Sequence, residues 1–137
     1  MKLEIAIDNA YKELKKNNIK SAFIDSEILL SQAINKSREF IILNLDREVS
    51  NKEYNYFQEM VNQRSKGKPI AYLTGKKFFW KDEFFIHDNV LIPRTDTEVI
   101  IEQDLKIYKK KNKINFWISD LDLDAFYFLF LRREKIL

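Results

Sequence analysis

The chain has 137 residues, 33% charged and 45% hydrophobic, with two glycines, no cysteine and a formal net charge of +3. This is ordinary globular usage, enough for one sizeable core or a small domain with an appendage, and it argues against disorder and against two full domains. The absence of cysteine excludes disulfides, thiolate zinc sites and cysteine nucleophiles, and the mild basic excess is weak evidence for nucleic acid, since a dedicated binder concentrates its basic residues on one face.

Met1-Lys2-Leu3-Glu4-Ile5 carries charge where a secretory signal needs an apolar run, and no stretch reaches the roughly 18 apolar residues of a membrane span. A soluble cytoplasmic protein without a membrane partner is the expectation. Leu3, Ile7, Ala10 and Leu14 recur at helical spacing, with Lys12, Glu13, Lys15 and Lys16 opposite, so residues 2–17 read as an amphipathic helix stopped by Asn17-Asn18. Ser21 is placed to cap a second helix, with an apolar stripe of Phe23, Ile24, Ile28, Leu29 and Ala33 and an end near Asn35. A short third helix follows Ser37 through Phe40, Ile41 and Leu43.

Ser50-Asn51-Lys52-Glu53 matches a capping box, which opens a fourth helix along Tyr54, Phe57, Val61 and Arg64. Gly67 can supply the left-handed residue that ends it, Pro69 can start a new helical turn, and Gly75 can reverse the chain. With only these two glycines, where average usage gives about ten, any cradle of clustered glycines is excluded. The helices form a small bundle, expected to bury Leu14, Phe23, Ile28, Leu29, Phe57 and Val61.

Beyond Pro69 the period changes. Phe78-Phe79-Trp80, Phe84-Phe85-Ile86 and Val90-Leu91-Ile92 are strand-like runs separated by Lys81-Asp82-Glu83 and His87-Asp88-Asn89, a β-hairpin signal. Pro93 should end the last strand, and Thr95-Asp96-Thr97-Glu98 reads as a second capping box, for a helix through Val99, Ile100, Leu105 and Ile107 to about Lys110. Arg94 puts a cation ahead of a helix N-terminus, where the dipole prefers anions, and so suggests a partner carboxylate or an anionic ligand. The bland readings are a solvated Arg94, a Glu98 that only caps, and a solvent-facing His87.

Two ordered motifs stand out: Gly67-Lys68-Pro69-Ile70-Ala71-Tyr72-Leu73-Thr74-Gly75 and Val90-Leu91-Ile92-Pro93-Arg94-Thr95-Asp96-Thr97-Glu98. Alone, the first is ordinary linker chemistry. In this order and separation the two resemble the Pro-x-x-Tyr-x-x-Gly and Ile-Pro-Arg-Pro-x-Thr-Glu signatures of the release-factor glutamine methyltransferases, the HemK/PrmC family, with Thr95 in place of a proline. Asp25-Ser26-Glu27-Ile28-Leu29-Leu30 is similar to the Asp-Ala-Glu-x-Leu-Leu of that family's N-terminal helical domain.

The resemblance implies a helical domain that grips a peptide chain release factor. It also implies a downstream Rossmann-like domain that transfers methyl from S-adenosylmethionine to a glutamine amide, with Arg94 and Glu98 at the edge of the cofactor pocket. The family's glycine-rich cofactor loop and Asn-Pro-Pro-Tyr motif are not in these 137 residues. Where the loop should stand, the chain reads Ile114-Asn115-Phe116-Trp117-Ile118-Ser119-Asp120-Leu121-Asp122-Leu123-Asp124-Ala125. In a shifted frame the codons of Phe116, Trp117 and Ile118 must give Leu-Asp. Suitable codons for the residues after them give Leu-Gly-Ser-Gly-Ser-Gly-Cys-Ile, so loss of one base near Asn115 would explain the junction and the end at Leu137. Asp120, Asp122 and Asp124 lack the glycine and closing glutamate of a calcium loop, and no metal site is expected.

The expected fold is mainly α. It comprises a helical docking domain over 1–68, a connecting segment with a β-hairpin over 69–94, the first helix of a truncated Rossmann-like methyltransferase domain over 95–115, and an aberrant, poorly packed tail over 116–137. The expected function is a truncated S-adenosylmethionine-dependent methyltransferase, inactive alone, with no catalytic residue and no bound cofactor of its own. The alternative is a stand-alone helical module that binds a release factor or RNA.

Overall fold

A computed structural model describes residues 1–108, which divide into a helical unit, Met1–Gly75, and a second unit that starts at Lys76. The expectations for the end of the last helix and for the tail lie outside the described residues. Mainly helical structure followed by an antiparallel hairpin and a helix agrees with the sequence reading.

In the first unit, α1 (Leu3–Lys16) buries Leu3, Ala6, Ile7, Ala10 and Leu14, one face at helical spacing. Glu4 in its first turn and Lys15 and Lys16 in its last complement the helix dipole. The chain leaves through Asn18 in the left-handed region, φ 60°. The start of α1 is tied down by a bridge between Lys2 and Glu48, and the Val49 N–H donates to the Met1 carbonyl at 2.8 Å.

The second helix, α2 (Ala22–Ile34), corrects the expected stripe. Its buried residues are Ala22, Asp25, Ser26, Glu27, Leu29, Leu30 and Ile34, whereas Phe23 is 54% exposed, Ile24 is exposed and Ile28 only half-buried. The polar run 25–27 turns inward because each member has a partner: Asp25 and Glu27 meet arginines, and the Ser26 hydroxyl donates to the Ala22 carbonyl at 2.7 Å. Phe23 instead lies edge-on to the Tyr11 ring, centroids 6.0 Å apart. Ser21 does not cap α2. Its backbone, φ −91° and ψ 20°, lacks the extended geometry of a cap, and its hydroxyl donates to the Asp25 carboxylate at 2.9 Å.

Asn35, φ 49°, ends α2, and Ser37 caps α3 (Arg38–Leu43) by accepting the Phe40 N–H. The capping box of α4 (Asn51–Ser65) is formed as read, with Ser50 accepting the Glu53 N–H and Glu53 accepting the Ser50 N–H. Gly67, φ 93°, follows the end of α4, and α5 (Ile70–Thr74) starts after Pro69 and ends at the left-handed Gly75. Phe57, Met60 and Val61 of α4 join Leu3, Leu14, Leu29, Leu30, Ile34, Ile41 and Val49 in one core, against which Ile70 and Leu73 of α5 pack. No helix among the described residues is long and apolar enough to cross a membrane.

In the second unit, β1 (Lys76–Phe79) and β2 (Asp82–Phe85) pair antiparallel, Lys76 opposite Phe85 and Phe79 opposite Asp82. The loop is therefore Trp80-Lys81, tighter than the Lys81-Asp82-Glu83 expected, since Asp82 and Glu83 already pair with β1. Phe79 and Phe84 share one face of the hairpin, with ring centroids 6.1 Å apart, and Phe78 and Phe85 point to the other. The third apolar run, Val90-Leu91-Ile92, forms no strand. The Val90 N–H closes a turn onto the His87 carbonyl, and Pro93 has no N–H to offer a partner. The unit's described part ends with α6 (Thr95–Tyr108).

Candidate functional site

Each motif singled out in the sequence has a definite place. In the 25–30 motif, the Asp25 side chain is 5% exposed and its Oδ2 accepts from Arg64 Nε at 2.7 Å as well as from the Ser21 hydroxyl. The same guanidinium donates through a second nitrogen to the Lys68 carbonyl at 3.1 Å. One arginine near the end of α4 thereby joins the start of α2 to the segment that leads into α5. Glu27 is paired in turn with Arg38 Nε at 2.6 Å, which links α2 to α3. Buried carboxylates so satisfied are structural staples, with few lone pairs left for a ligand. The sequence reading placed Arg64 on the helix face but missed its partner, because a contact across 39 residues leaves no local signal.

The second motif lies where the chain passes from the hairpin into α6. Thr95 is already helical, so it stands inside the helix and not at the cap position that the expected box with Glu98 gives it. Glu98, half-buried, accepts the Trp80 backbone N–H through Oε1 at 3.0 Å. Trp80 has φ 57°, a left-handed conformation rare for a bulky side chain, and Lys81 Nζ sits 5.9 Å from its ring centroid. Pro93 is buried and Arg94 exposed, with no ion pair for Arg94 among the described residues. The two predicted site residues thus lie within one turn of chain but differ in surroundings: Glu98 faces the hairpin loop, and Arg94 faces solvent. Trp80 carried no sequence signal, since a tryptophan at a left-handed loop position runs against its own preference.

His87 is exposed, and its carbonyl accepts the Val90 N–H in the turn. Among the described residues no group of three or more histidine, aspartate or glutamate side chains is placed to hold a metal ion. The described carboxyl groups held below their ordinary range both stand at helix starts. Glu39 is held there by its own backbone N–H and by Ser37, and Glu53 by the Ser50 hydroxyl and N–H. These are capping effects. The geometry at the second motif can orient a loop and offer an exposed cation at the mouth of a helix.

Residues 6–75 match the family described as the PrmC N-terminal domain, and the match ends where the helical unit ends. A release factor glutamine methyltransferase of Leptospira interrogans is 43% identical over 96 residues, which cover 70% of this chain and 34% of that protein. One of Shewanella oneidensis is 35% identical over 107 residues, 78% of this chain and 37% of that protein. A bifunctional methyltransferase of Rickettsia conorii is 34% identical over 106 residues, 77% of this chain and 20% of that protein. The chain therefore spans about a third or less of the length of these relatives. With a helical unit that coincides with the matched domain, the chain belongs to the PrmC family, of which it carries the N-terminal domain.

Proposed function

We propose that these residues form the release-factor-docking part of an S-adenosylmethionine-dependent glutamine methyltransferase acting in translation termination in the cytoplasm. The observation that carries the reading is the match over residues 6–75 to the family's N-terminal domain. Exposed Ile42 and Leu43 on α3, outside a core that is already complete, offer apolar surface for a protein partner to cover. Capture of a bacterial peptide chain release factor by the immobilised chain is the expected result, with little dependence on salt. Absence of capture, or binding of RNA that falls steeply with salt, would overturn it.

The catalytic part of the reading is narrower. Gly67 and Gly75 are the only glycines, so the loop that allows close backbone approach to a cofactor is not among these residues. On this reading Arg94 and Glu98 stand at the edge of the cofactor pocket. The chain alone neither retains S-adenosylmethionine nor transfers methyl to the release factor. Labelled S-adenosylmethionine with the purified chain and release factor should give background incorporation, and turnover above background would refute that. The shifted-frame reading of residues 114–126 is tested by resequencing codons 113–120, where an added base should restore the glycine-rich loop.

A further inference from the structure

We infer that Glu98 is a positioning residue, which works by holding the Trp80-Lys81 loop against the first turn of α6 and not by binding a ligand. In a two-residue hairpin loop the N–H of the first loop residue points away from the ladder and needs an acceptor of its own. That residue is usually glycine when its φ is positive, as it is here at 57°. Trp80 therefore holds an unfavoured backbone conformation together with a donor that the hairpin cannot satisfy. The Glu98 carboxylate, 18 residues on, accepts that proton at 3.0 Å from a half-buried position. A hydrogen bond to a charged acceptor is among the stronger kinds, and this one offsets the strain of the loop.

Two consequences separate this role from a cap or a ligand contact. An amide in place of the carboxylate keeps an acceptor oxygen, so Glu98→Gln should retain the loop. Removal of the acceptor altogether should release it. The inference deepens the reading above, and rests on it only for placing Glu98 near the cofactor; the hydrogen bond itself is independent of that reading.

The test is amide NMR on the whole chain. In the unsubstituted protein the Trp80 amide should be protected from exchange. In Glu98→Gln protection should persist, because the amide oxygen still accepts. In Glu98→Ala exchange should be faster by roughly tenfold or more, with the amides of α1 and α2 unchanged as a control for folding. Trp80→Gly relieves the left-handed strain, so Glu98→Ala should loosen the hairpin amides less in that background. Trp80 protection unaltered in Glu98→Ala, or a Glu98→Gln variant that behaves like Glu98→Ala, would overturn the inference. Failure to capture a release factor, with these NMR results intact, would sink the docking reading alone.

Discussion

Ser50 and Glu53 show how a local sequence pattern becomes a measurable contribution to stability. Each satisfies the other's backbone N–H at the start of α4, and Ser50→Ala should cost about 1 kcal/mol in urea unfolding. Glu53 is held below its ordinary value of 4.5 by the Ser50 hydroxyl first and the Ser50 N–H second. The unfolded chain therefore takes up this proton before the folded one. The carboxylate's contribution is complete above pH 4.5 and is lost as pH falls through the lower folded value. Its loss in acid should be smaller in Ser50→Ala, since the hydroxyl is the larger cause of the shift; an unchanged acid limb would contradict this. At Asp25 the argument runs through burial. Arg64→Met strands a carboxylate that is 5% exposed, at a cost of about 3 kcal/mol, and Asp25→Leu added to it should recover much of the loss. A double substitution as unstable as the single one would show that the pair contributes more than mutual satisfaction.

At the scale of elements, what was legible in the sequence was what neighbours in sequence decide. The face of α1, the short helix after Ser37, the Ser50 box, the turns at Gly67 and Gly75 and the existence of a hairpin all depend on residues within a few positions of each other. The inward face of α2 was not legible, because hydrophobicity ranks Phe23 above Asp25 and only Arg64 and Arg38 reverse that order. Arg94 and Glu98 stood out in the sequence through their motif, but the Trp80 N–H that engages Glu98 belongs to another element and left no local signal. The corrected face of α2 is itself testable. Phe57→Ala opens a fully buried site and should cost about 4 kcal/mol, whereas Phe23→Ala should stay within about 1 kcal/mol. Comparable costs for the two would restore the original stripe.

For the whole molecule, the helical unit has its own core and ends at Gly75, the last residue of the family match. A polypeptide of residues 1–75 should therefore unfold in a single cooperative step, with helical circular dichroism, and on the proposed docking reading it should capture a release factor without residues 76–137. A broad, uncooperative transition would mean that the unit depends on residues beyond Gly75. Within this unit α2 packs against all four of its fellow helices, whereas α3 and α5 each lie at the periphery. That arrangement bears on how the unit assembles. α1 also packs against α4 and α4 against α5, but α2 is the helix that meets the other four, so the rate-limiting step should already contain it. Leu29→Ala and Leu30→Ala should then slow refolding strongly, while Ile41→Ala in α3 should act mainly by hastening unfolding. The buried acids of α2 would thus lie at the kinetic centre of the helical unit.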